Sequence, residues 1–214
     1  TIAILMLFSS FSLASAELGV NIGVSANTGI FTAEAEETMG TTGKRGSDRA
    51  VGVFGYTSIF IEKTLGQYLF VGYDIATEDM DSETVETNVR CSDVGSEDAS
   101  CNQVVKVSFS DMQTLYAAVN VTENFFIKAG IVELDLITNE TLGTGGTYGN
   151  TSLDGNMVGF GYNKDVTNGL FLRAEASMID FDDIKLNSSS GETRFIKANG
   201  IGGATAKISV GKTF

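Results

Sequence analysis

Eight segments of the chain alternate, residue by residue, between apolar side chains and small or polar ones. The first sets Leu18, Val20, Ile22 and Val24 against Gly19, Asn21, Gly23 and Ser25 and runs on toward Glu36. The pattern returns from Ala50 to Glu62, Gln67 to Thr77, Val105 to Asn120 and Phe125 to Thr138. Asp154 to Asn163, Gly169 to Leu186 and Thr193 to Phe214 complete the set. A period of two belongs to a strand whose faces meet different surroundings, and the spacing of an amphipathic helix is not found. Segments of about ten residues or more are long enough to cross a bilayer when tilted, and exceed the about five to six usual in soluble sheets.

The connections alternate as well. Short turns, at Lys63 to Gln67, Val121 to Asn124 and Asp165 to Gly169, join the second segment to the third, the fourth to the fifth and the sixth to the seventh. Longer polar loops span Glu37 to Arg49, Glu78 to Val104, Asn139 to Leu153 and Asn187 to Glu192. Tight turns at one end and long loops at the other are the connectivity of an up-and-down barrel with both termini on the short-turn side. The fold expected is therefore all-β: one eight-stranded antiparallel transmembrane β-barrel with a filled interior.

Composition narrows the chemistry. The chain has no His, which removes Ser-His-Asp and Cys-His mechanisms and the usual zinc site. It has no Pro and 25 Gly, suited to bending and bulging strands. A net charge of -13 disfavours nucleic acid as a partner. Residues 1–16, TIAILMLFSSFSLASA, carry no charge and end small-x-small at Ala14, Ser15 and Ala16. They read as a secretory leader whose basic start is missing, which puts the mature barrel at 17–214. In an exported chain, Cys91 and Cys101 are expected to form a disulfide. Closing so short a loop contributes about 2 to 4 kcal/mol on the chain-entropy model.

The alternation also assigns faces. Leu115, Ala117 and Val119, then Val158, Phe160 and Tyr162, then Leu172, Ala174, Ala176 and Met178 are expected to meet lipid. Lys128, Arg173, Glu175, Lys197 and Lys207 fall on the opposite faces with Glu62, and buried charges require partners, so an interior network is expected among them. The phase slips at Ile131 to Leu134 and at Met178 to Phe181, which a bulge or exit from the membrane explains. Trp is absent and Tyr occurs only six times. Phe60, Phe125, Phe126, Phe171 and Phe195 are therefore the candidates for the interfacial aromatic girdle.

With its leader, its eight alternating segments and the closing ISVGKTF, the chain resembles the small eight-stranded outer-membrane barrels of Gram-negative bacteria, the transmembrane domain of outer-membrane protein A and outer-membrane protein X among them. The resemblance implies a bacterial outer-membrane location, contact with membrane lipid and lipopolysaccharide, and an assembly signal at Phe214, Val210 and Ile208. Lys212 departs from the apolar or aromatic residue usual in that signal.

Other motifs carry less. Gly211, Lys212 and Thr213 end like a phosphate-binding loop, but the required first glycine is Ala206 and no helix follows. GTGGTYG, Gly143 to Gly149, reads as a surface loop. The stretch from Asp74 to Asp98 reads as an acidic outer loop, in which Asp79, Asp81 and Glu83 are at most a weak divalent-cation site because Thr84 replaces the expected glycine. Asp180, Asp182 and Asp183 read as a polar strand end. The function expected is non-enzymatic: a cofactor-free, monomeric barrel with a structural or surface-interaction role through acidic external loops. The alternatives are a narrow channel for small solutes or ions and a secreted, soluble lipocalin-like barrel.

Overall fold

The computed structural model describes residues 19–39, 43–82, 85–90, 100–141, 147–189 and 194–214, and at several strand tips the backbone alone. The expected leader at 1–16, Cys91 and Glu83 lie outside the described residues, and of Cys101 only the backbone is described. The strands are β1 (Val20–Met39), β2 (Gly43–Leu65), β3 (Leu69–Ala76), β4 (Met80–Asp81), β5 (Val85–Arg90) and β6 (Ser100–Asn120). They continue with β7 (Phe125–Thr141), β8 (Thr151–Thr167), β9 (Leu170–Phe181), β10 (Ile184–Asn187) and β11 (Arg194–Thr213).

These make eight staves, because β3, β4 and β5 all pair with β6, and β9 and β10 both pair with β11. Pairing of β1 with β11 closes the ring, every pairing being antiparallel. Followed from Val53 through Ile30, Ala204, Met178, Val158, Ala129, Ala117 and Val71, the register returns to β2 at Lys63, ten residues along. A stagger of ten in a ring of eight corresponds to a strand tilt of about 40°. The short turns fall where the spacing predicts. Asn168 (φ 50°) and Gly169 (φ 76°) supply the consecutive left-handed residues of a two-residue hairpin.

Two expected loops are largely strand. β1 and β2 stay paired up to Met39 and Gly43, so most of 37–49 extends a tall hairpin. Much of 78–104 likewise forms β4, β5 and the upper part of β6. Their polar, loop-like composition hid these elements.

The expected slips of phase do not occur. Val132 and Leu134 remain inward and buried while Ile131 and Glu133 remain outward. On β9, Ile179 and Phe181 are inward and Met178 and Asp180 outward. What changes is the surroundings. Below this level the outer wall is apolar, with Ile127, Ile131, Val158, Phe160, Leu172, Met178, Ile208 and Val210 all exposed. Above it the wall turns polar at Glu133, Asp135, Asp154, Asn156 and Asp180, while the lumen fills with Leu134, Leu136, Leu153, Met157, Ile179 and Phe181.

One continuous wall is thus inside-out within the membrane and core-in beyond it. The expectation of a polar interior holds only for the lower half. The apolar outer band is about 20 to 25 Å tall at this tilt, which matches a bilayer's hydrocarbon layer. Tyr68, Phe125, Tyr162 and Phe214 are exposed toward its lower end. Of the expected girdle Phe125 faces outward at that end, Phe60, Phe126 and Phe171 are buried in the lumen, and Phe195 lies on the outer wall above the membrane, where the exposed Lys185 Nζ stacks 4.0 Å from its ring. Counting aromatics could not separate the two faces, whereas their phase does.

The inversion is testable by charge placement. Val158→Lys is expected to cost about 2 to 4 kcal/mol of folding stability in lipid, and Asn156→Lys about 0 to 1, read by denaturant titration in vesicles.

Candidate functional site

The lower lumen is a ladder of three ion pairs built from facing staves. At the bottom, the Glu62 carboxylate on β2 is fully buried and binds Arg173 on β9 in a two-pronged pair, with Nη2 2.9 Å from Oε2 and Nη1 bound to Oε1. Tyr116 OH donates to Oε1 at 2.6 Å and Asn21 Nδ2 to Oε2 at 3.1 Å, so the carboxylate's acceptor sites are filled. Arg173 Nε donates to Asn163 Oδ1 at 3.3 Å.

Four phenylalanines surround the guanidinium. Its carbon lies 5.3 Å from the ring centre of Phe60, 5.4 Å from Phe70, 5.2 Å from Phe126 and 5.0 Å from Phe171. These distances are within cation–π range. Glycine makes the room. Phe60 pairs across strands with Gly23, Phe126 with Gly161 and Phe171 with Gly211, and a Cβ at any of those glycines would collide with the ring. Aromatic side chains thereby cover the bare backbone of the opposite strand.

One level up, Lys128 Nζ on β7 lies 2.9 Å from Glu175 Oε1 on β9, an ion contact without aligned hydrogen-bond geometry, and 4.9 Å from the Tyr116 ring. Above that, Lys207 Nζ on β11 donates to Asp74 Oδ2 on β3 at 2.6 Å, and Ser58 Oγ donates to the same oxygen at 3.2 Å. Asn27 Nδ2 donates onward to Ser58 Oγ at 3.1 Å. The buried Tyr56 then leads into the apolar core. Three cations face three anions, so the ladder is electrically neutral.

The structure therefore brings together Glu62, Lys128, Arg173, Glu175 and Lys207. It leaves out Lys197, which is exposed on β11 opposite Lys185. The bulge between Thr32 and Glu34, beside the left-handed Gly200, separates Lys197 from the alternation that carries Lys207 inward. Asp74 and Tyr116 complete the site and were not among the expected members. Asp74 reads in sequence as the start of an acidic loop, yet its phase with Phe70 and Gly72, both buried, carries the signal for an inward place.

Outside the lumen, Asp81 bonds Lys106 Nζ and Ser108 Oγ, each at 2.6 Å, and these donors, Lys106 foremost, hold its pKa below the ordinary carboxylate range. Asp79 is exposed, and among the described residues no three His, Cys, Asp or Glu side chains gather as a metal site. On the outer rim, Asp180 is exposed and Asp183 Oδ1 accepts from Gly200 N at 3.3 Å. Tyr148, within the glycine-rich segment, is buried and bridges to Ser188. Ile208, Val210 and Phe214 face outward, and the Phe214 backbone closes on Val20, with Phe214 N 2.9 Å from Val20 O.

Below Arg173 a cavity of about 490 Å³, lined by Asn21, Lys63, Asn120, Asn163 and Asp165 among others, opens at the terminal end of the barrel and stops at the guanidinium. Breaking one side of the lowest pair leaves a buried, uncompensated charge. Glu62→Ala or Arg173→Ala is expected to destabilise the barrel by about 3 to 5 kcal/mol in denaturant titration, and Glu62→Met combined with Arg173→Leu to recover most of that loss.

No protein-family model matches the sequence, and no curated protein matches it. Among solved structures it is similar to the outer membrane protein OprG from Pseudomonas aeruginosa, at 13% identity over 92% of this chain and 97% of that one, with a TM-score of 0.55. It also aligns with the outer membrane protease OmpT from Escherichia coli, at 12% identity over 97% of this chain and 100% of that one, with a TM-score of 0.46. Neisserial surface protein A aligns at 10% identity over 94% and 100%, with a TM-score of 0.44. Apolar belt, closed antiparallel ring and polar lower lumen together give the chain the fold of the small outer-membrane β-barrels.

Proposed function

We propose that this chain is a closed, non-enzymatic barrel of the bacterial outer membrane, with a structural and surface-interaction role exercised through its acidic outer half. The observation that carries this reading is the filled lumen. From the Arg173–Glu62 pair upward, ion pairs, aromatic rings and then an apolar core occupy the axis, and each interior cation already holds an anion.

The chain has no His, and among the described residues the lumenal carboxylates are each paired with a cation, which supports a non-enzymatic reading. The partners that fit are lipid and lipopolysaccharide around the apolar band and the outer-membrane assembly machinery at the outward Ile208, Val210 and Phe214, with the barrel acting as a monomer. The uncharged, apolar segment 1–16 fits an export leader. The outward valines, isoleucines and leucines oppose a soluble, lipocalin-like barrel, since that fold turns polar faces to water.

The alternative, a narrow channel, finds its footing in the cavity beneath Arg173. Planar-bilayer recording separates the two. The wild-type chain is expected to give no steady conductance; a sustained open level at neutral pH would replace this reading with the channel.

A further inference from the structure

Above the membrane the wall divides into two wings, β10-β11-β1-β2 and β5-β6-β7, separated by two gaps. The gap between β7 and β10 is stitched: Thr138 N donates to Asn150 Oδ1 at 3.1 Å, Tyr148 bridges to Ser188, and Ser189 N donates to Thr147 O at 2.8 Å. The gap on the other side of β2 is fastened at its base. There β2 pairs with β3 only as far as Ser58 and Ala76, Thr77 N donates to Thr57 O at 2.9 Å, and Thr57 N donates to Glu78 Oε1 at 2.8 Å. Beyond that point β4 and β5 pair with β6. Among the described residues, no strand pairs with this side of β2 from Gly43 to Tyr56.

Thr57 shows which groups are left open. Its N–H and C=O both face the gap, and backbone direction alternates along a strand, so the N–H and C=O of Gly55, Val53 and Val51 face it too. The Val51 and Val53 side chains are on the outer wall, 64% and 70% exposed. The strand tilt lowers the register line by about 3 Å per stave from β2 toward β9. Val53 therefore stands well above Met178, its partner three staves away and the last apolar outward residue before Asp180. Apolar side chains in the aqueous zone beside an open sheet edge are what an extended peptide needs to add as a strand.

We propose that the Val51–Gly55 edge of β2 is a docking site for an extended, basic polypeptide segment, which adds as a strand and completes the sheet. Charge selects the partner's sign. Glu78, Asp79 and Glu86 lie exposed across the gap, and the chain carries a net charge of -13. The same charge opposes a second copy, which would bring equal negative charge to its own edge. The inference rests on the surface-interaction reading, but not on the closure of the lumen, so it stands or falls independently of the conductance result.

The test uses the folded barrel in lipid nanodiscs and a ten-residue peptide alternating lysine with valine and threonine, compared with a peptide in which glutamate replaces lysine. The basic peptide is expected to bind and to slow amide hydrogen exchange at Val51, Val53 and Gly55. Val53→Pro removes a gap-facing N–H and spares the bonds to β1, and is expected to weaken binding about tenfold. Binding unchanged by that proline, or equal for the acidic peptide, would overturn the proposal. So would edge amides that exchange as fast with peptide as without it, or a dimer cross-linked through Val53. If Val53→Pro fails to fold, the wild-type exchange measurement decides alone.

Discussion

Hydrocarbon offers no hydrogen bonds, so every N–H and C=O of a membrane-crossing sheet must be met by the sheet itself. In this chain the bond ladder between β1 and β11 meets that demand, joining residues near the two ends of the described chain, Asn21 to Thr213 at one limit and Met39 to Arg194 at the other. Once the ring closes with eight staves and a stagger of ten, its radius leaves a lumen only as wide as its own side chains. The lumen's contents follow. Lipid takes the apolar face, so what remains to point inward is glycine, polar and charged.

Burying charge is costly unless each group finds a partner, and the solution here is strict pairing in layers. Arg173 illustrates how far this goes, with two bonds to one carboxylate and four aromatic faces around the plane. Three of those rings fit because glycines stand opposite them. Above the lipid, where the outer wall meets water, the preferences exchange: acidic residues go outside, leucine and phenylalanine inside, and β7, β8 and β9 continue without a break in phase. The hydrophobic effect sets both halves, and only the location of the apolar medium differs between them.

Most of this order was legible in the sequence, and all but one of the failures share a cause. Alternation located the staves, the short turns and the inward phase of Lys128, Arg173, Glu175 and Lys207, because a period of two survives any change of surroundings. Assigning polarity to a face was reliable only while the surroundings stayed constant. At Glu133 and Asp180 the outside turns from lipid to water, so a change of solvent read as a change of phase. The same confusion made strand extensions such as Arg49 and Lys44 look like loop, and placed Asp74 with its acidic neighbours rather than with Phe70 and Gly72. Lys197 was misplaced for a different reason: a bulge involves backbone geometry, and one chain's side-chain pattern does not reveal it.

The barrel is filled and its surroundings change at a fixed level along each stave, which spin labels placed singly from position 127 to 135 on β7 would detect. Collision with dissolved oxygen and with a water-soluble nickel complex would be recorded in bilayers. Labels at 127, 129 and 131 should meet oxygen and labels at 133 and 135 nickel, while those at 128, 130 and 132 should meet neither freely. Free nickel access at the even positions would contradict this, since it would mean a wet lumen in place of a packed one.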